Sequence, residues 1–130
     1  MSKEQLDRLT LLRDSGWRAA LTIFCSPLLG DRGEVWNSID LESRTIHIEN
    51  MLDACGAMSG GEQRLVKLAL SLFNQQIEVN LWKTLAGLDE ANGQVAVDAV
   101  AAFNGGPLRQ ADAIRKVLLT RPIRKREGRS

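Results

Sequence analysis

The residues best suited to chemistry are Ser59-Gly60-Gly61-Glu62-Gln63-Arg64, at the head of an apolar-periodic run that reaches Phe73. A serine and two glycines at a helix start suit an anion. The first amides of a helix have no intrahelical partners, the backbone dipole is positive there, and glycines let a phosphate approach the main chain. Ser59, Gly60 and Gly61 are therefore candidate anion contacts. The same residues also spell a capping box, in which the Ser59 hydroxyl accepts from the Glu62 amide and the Glu62 carboxylate accepts from the Ser59 amide. This second reading needs no ligand and is the favoured one.

Read in isolation, Ser59 to Arg64 resembles the signature segment of ABC-type ATPases. Membership of that family would imply a phosphate-cradling loop of the form G-x-x-x-x-G-K-[ST], and the sequence has no Gly-Lys pair. Leu88-Asp89-Glu90 has the look of a metal-binding carboxylate pair, but Lys83-Thr84-Leu85-Ala86-Gly87 before it is not an apolar strand. The likeness is local, and the sequence implies no nucleotide cofactor.

Other groups with chemical potential are few. His47 is the single histidine, so any Ser-His or Cys-His dyad must use it. No G-x-S-x-G elbow accompanies it, and its place between Ile46 and Ile48 suits a surface side chain. Cys25 and Cys55 stand apart in apolar surroundings, as buried free thiols do. Neither their spacing nor a single histidine makes a metal site, and a magnesium site built from Asp89, Glu90 and another acid would be nonspecific. Two interaction features remain. The C-terminus, with Arg121, Arg124, Lys125, Arg126 and Arg129, could neutralise nucleic-acid phosphates. Trp36, read as lying on the loop Gly33-Glu34-Val35-Trp36-Asn37, could anchor a protein interface, although packing in the core or on the hairpin is the favoured role. Trp17 and Trp82 sit at periodic positions and are expected in the core.

The elements that must position these groups are mostly helices. Ser2 and Gln5 form a first capping box, and Leu6, Leu9 and Leu12 continue the helical spacing up to Gly16, read as a stop. Trp17, Ala20, Leu21 and Phe24 define a second helix that Pro27 ends. Gly30-Asp31-Arg32-Gly33 is a loop. Ile39 and Leu41, then Ile46 and Ile48, alternate with polar residues and predict a hairpin at about 38–49 that must lie on the helices. Asn50 is read as the cap of a short helix closed at Gly56. From Ser59 onward the pattern is helical, with Asn80 and Asp89 as further caps. Val95, Ala99, Val100 and Phe103 are read as the buried side of the helix that Asp89 caps. Asn104-Gly105-Gly106-Pro107 joins a helix stop to a helix-starting proline.

Residues 59–104 also resemble a pattern in small bacterial and mobile-element proteins without an assigned activity. Ser-Gly-Gly-Glu, Leu68 to Asn74, Val79-Asn80-Leu81 and Leu88 to Asn92 follow in the same order. This resemblance implies a recurring three-helix unit and transfers no functional residue.

Composition bounds the whole. The 130 residues suffice for one domain, and 44% hydrophobic with 25% charged residues is an ordinary globular balance. A polar N-terminus unlike a signal peptide, and the lack of a long apolar run, make the cytoplasm the default and exclude a membrane partner. Net charge is +1, yet from Arg109 onward eight basic residues face two acids, which leaves the body acidic. The fold expected is a mainly α, single-domain bundle of about six helices over residues 1–120, with a flexible basic tail over 121–130. The function expected is non-enzymatic: a small protein, accessory or inhibitory, that binds a protein partner and could form a homo-oligomer. The alternatives are nucleic-acid association through the tail and phosphate or nucleotide binding at Ser59.

Overall fold

In the computed structural model the described residues are 1–123. They form α1 (Lys3–Leu9), a 3-10 turn (Thr10–Arg13), α2 (Ser15–Phe24), α3 (Gly33–Asn37), β1 (Ile39–Asp40), β2 (Thr45–Ile46), α4 (Ile48–Cys55), α5 (Gly60–Phe73), α6 (Leu81–Ala86), α7 (Glu90–Phe103) and α8 (Ala111–Thr120). The molecule is mainly α, with one small antiparallel sheet, as its periodicity predicts.

The first helix boundary falls differently from the sequence reading. Gly16 lies inside α2 rather than ending α1, because the Asp14 carboxylate accepts from the Trp17 amide at 2.9 Å and caps α2 two residues before Gly16. The chain tightens through the 3-10 turn, and Leu6, expected on a core face, is left exposed.

From Ala19 to Phe24 every residue of α2 is fully buried. A helix apolar on all sides must lie at the centre, and α2 packs against both α5 and α7. Trp17 meets the Phe73 ring edge-on at 5.0 Å. The Asn80 and Asp89 side chains cap α6 and α7 as expected, and α7 ends in a glycine motif. Gly105 takes φ 85°, a left-handed backbone that glycine adopts without a Cβ clash. Its amide and that of Gly106 then bond back to the Ala102 and Ala101 carbonyls. Pro107, however, does not start α8, which begins at Ala111.

The hairpin is shorter than the alternation suggests. Ile39 pairs with Ile46 and Asp40 with Thr45, while the Asp40 carboxylate accepts from the Glu42 and Ser43 amides to shape the turn. Ile39, Leu41 and Ile46 are buried, so the hairpin lies on the helices. Ile48 is not a strand residue: it opens α4 with His47 as N-cap, displacing the start read at Asn50.

Candidate functional site

The Ser59 helix start is a finished structural device. The Ser59 amide donates to Glu62 Oε1 at 3.0 Å, and the Glu62 amide donates to Ser59 Oγ at 3.3 Å. Glu62 is buried and also forms an ion pair with Arg32 from the loop before α3. The chain's own carboxylate thus already occupies the polar start of α5. A Ser59→Ala variant is expected to lose about 1 kcal/mol, read as a lower urea midpoint with an unchanged slope.

The Ser59 amide bond, with the Arg32 guanidinium beside it, holds the Glu62 carboxyl below its ordinary value of 4.5, although burial opposes the shift. A folded-state value below the unfolded one gives stability that is complete above the unfolded value and lost as pH falls through the folded one. The stability gap between the native protein and Glu62→Gln is therefore expected to be widest at neutral pH and to narrow below pH 4.5. Urea unfolding across that range measures it.

Trp36 is not on a loop and is not exposed. It lies within α3 at 2% exposure and donates from Nε1 to the Gly30 carbonyl at 3.1 Å. Its ring stands edge-on to Phe24 at 6.4 Å, and the Arg121 guanidinium lies 4.6 Å over its face. As an interface anchor it is therefore withdrawn: it is core, because residues 33–37 form a helical turn that points it inward. The tail reading changes at its base for the same reason. Arg121 is spent on Trp36, and the Arg121 and Pro122 carbonyls accept from the Arg8 guanidinium. Residues 121 and 122, read as the start of the tail, are thus held against α1 and α3. Arg124, Lys125, Arg126 and Arg129 lie outside the described residues.

His47 is exposed at the start of α4. Both cysteines are buried free thiols, and burial pushes the Cys25 thiol up to about 12. A thiol held protonated in this way is a poor nucleophile. Among the described residues no group of three His, Cys, Asp or Glu side chains could hold a metal, and no helix is long and apolar enough to cross a membrane.

The surface that invites a partner is elsewhere. Trp82, expected in the core, is 77% exposed, because α6 turns Thr84 inward instead. Leu81 and Leu85 of the same helix are exposed as well, as are Val97 and Val100 of α7, Val97 by 57%. Leu68 and Ala96 form the floor between them, and the resulting groove of about 320 Å³ is almost wholly apolar. Val100 and Phe103, assigned to the buried side of α7, belong to its exposed side. The signal was present in the sequence: α7 carries apolar residues at 95–97 and 99–103, more than one core face needs.

No protein-family model, curated protein or solved structure matches this chain. The function must therefore be argued from the surface itself.

Proposed function

We propose that the protein acts by binding another protein chain, and that the contact surface is the apolar α6–α7 face. The observation that carries this reading is the apolar groove lined by exposed Leu81, Leu85, Val97 and Val100, with Trp82 exposed on the same helix as the first two. Scattered apolar residues on a surface are ordinary, but a contiguous patch around a tryptophan marks a place where a second surface excludes water. Burying such a side chain removes a large apolar area at little entropic cost, because a tryptophan has only two side-chain torsions to fix.

Binding rather than catalysis also fits the remaining chemistry. His47 is exposed, whereas the Cys25 and Cys55 thiols are buried, Cys55 at the far end of the same helix, α4. The groove itself offers hydrocarbon and almost nothing polar to orient a reacting group.

A photo-reactive phenylalanine analogue at position 82, introduced in the native cell, tests the reading. Irradiation should give a protein adduct that disappears when Val97→Asp is added. The same analogue in place of exposed Glu4 should give none. Absence of an adduct at position 82 would overturn the proposal.

A further inference from the structure

We infer that the occupant of the α6–α7 face is a second copy of this chain, paired about a two-fold axis that runs parallel to the groove, between it and Trp82. The inference rests on the protein-binding reading above and adds the identity of the partner. Two features of the face support it, one of shape and one of charge.

The shape is that of a knob beside a hole. Trp82 projects from α6 with 77% of its surface exposed, and its helix neighbours Leu81 and Leu85 line the apolar groove of about 320 Å³ between α6 and α7. A two-fold interface uses the same patch twice, so a patch that fits itself must carry both a projection and its complement. Here each Trp82 can enter the other copy's groove, where Leu85, Val97 and Val100 would take its ring. Such an arrangement closes on itself after two copies and leaves no further knob exposed.

The charge is asymmetric across the groove in the sense that such an axis requires. On the α6 side, Arg64, Lys67 and Lys83 gather with a single acid, Glu78, between α5 and α6. None of these three cations forms an ion pair among the described residues. On the α7 side, helical spacing puts Glu90, Gln94 and Asp98 on one stripe, between the Val97–Ala101 stripe and buried Ala102. Gln94 donates to the Asp98 carboxylate at 2.9 Å, which leaves that carboxylate's charge intact. A two-fold axis parallel to the groove exchanges its two sides. The basic side of one copy then faces the acidic side of the other, at both edges of the interface. An axis across the groove would instead set like charges together, so electrostatics selects the first arrangement.

Sedimentation equilibrium of the purified full chain at ~100 µM, where an association of ~10 µM would be plain, tests the pairing. The expected mass is twice 14.4 kDa. Trp82→Ala and Val97→Asp should each return the monomer without loss of helical circular dichroism, since both side chains are exposed in the single chain. Lys83→Glu and Asp98→Lys should each weaken association about tenfold, and the double variant should recover most of that loss. A monomeric native protein, or a dimer that ignores all four substitutions, overturns the inference. If the native protein is monomeric while the position-82 adduct forms with a different protein, the binding reading stands and only the second copy is wrong. If neither is seen, both fail.

Discussion

Replacing Trp36 with alanine is expected to destabilise the protein by about 4 kcal/mol, in the upper range for large-to-small core changes. The ring is 2% exposed and fills the space between Phe24, the Gly30 carbonyl and Arg121. Its removal opens a cavity that short, hydrogen-bonded α3 cannot collapse into. It also leaves the Gly30 carbonyl without its indole donor and strips Arg121 of its cation–π partner. Trp82→Ala is the natural comparison. That side chain is 77% exposed, so its loss should change the stability of the single chain by less than about 0.5 kcal/mol. Urea unfolding of the two variants at low protein concentration measures both. Equal losses would place the two tryptophans in similar environments and refute the assignment of one to the core and the other to the surface.

The second large effect is expected at Arg8, which is 2% exposed and joins the N-terminal helix to the end of α8. Its Nε donates to Glu42 at 2.5 Å, Nη1 donates to the Leu118 and Arg121 carbonyls at 3.0 and 2.7 Å, and Nη2 donates to the Pro122 carbonyl at 3.0 Å. An Arg8→Met change preserves most of the volume and removes every one of these donors. It leaves the Glu42 carboxylate, at 21% side-chain exposure, without its guanidinium, and three carbonyls to find water. A loss of about 3 kcal/mol is expected, of the size seen when one member of a buried charge pair is removed. Part of that is the loss of the guanidinium's attraction for the Glu42 carboxylate. Adding Glu42→Leu to Arg8→Met should therefore cost less than Glu42→Leu alone, and a double-mutant cycle by urea unfolding gives the coupling. A fully additive cycle would show that the pair is not coupled. Hydrogen exchange should also report faster opening of the last turn of α8 in Arg8→Met, since that turn loses its fixed partner.

The two tryptophans show where the sequence is readable and where it is not. Both stand in short helical segments, and the local pattern around each allows either burial or exposure. Trp36 follows a Gly-rich turn, yet Gly33–Asn37 forms a helical turn that faces the core, and Trp36 goes in. Trp82 follows a well-capped start at Asn80, yet α6 is rotated so that Thr84 goes in and Trp82 goes out. A helix of six residues has too few positions to fix its own rotation. Its rotation is fixed by packing against α5, which depends on how the helices close on one another and not on the spacing within α6. The same limit applies to Arg8, whose partners at 118, 121 and 122 become neighbours only when α1 meets α8.

What the sequence by itself determined is what neighbours along the chain can decide. The Ser2, Ser59, Asn80 and Asp89 caps, the glycine motif after Phe103, the burial of α2 and the mainly α architecture all follow from hydrogen bonds and periodicity within a few residues. The capping box is the clearest case. Ser59 and Glu62 satisfy one another across one turn, and no distant group is needed to explain them. Only the tertiary structure decided which apolar residues are left without a partner. Val95 and Val100 are equally apolar in the sequence, and one is buried against the core while the other lines the groove. Burial is a property of the space between elements, set by how α2, α5 and α7 close on one another, and the exposed face of α6 and α7 is what that closure leaves over.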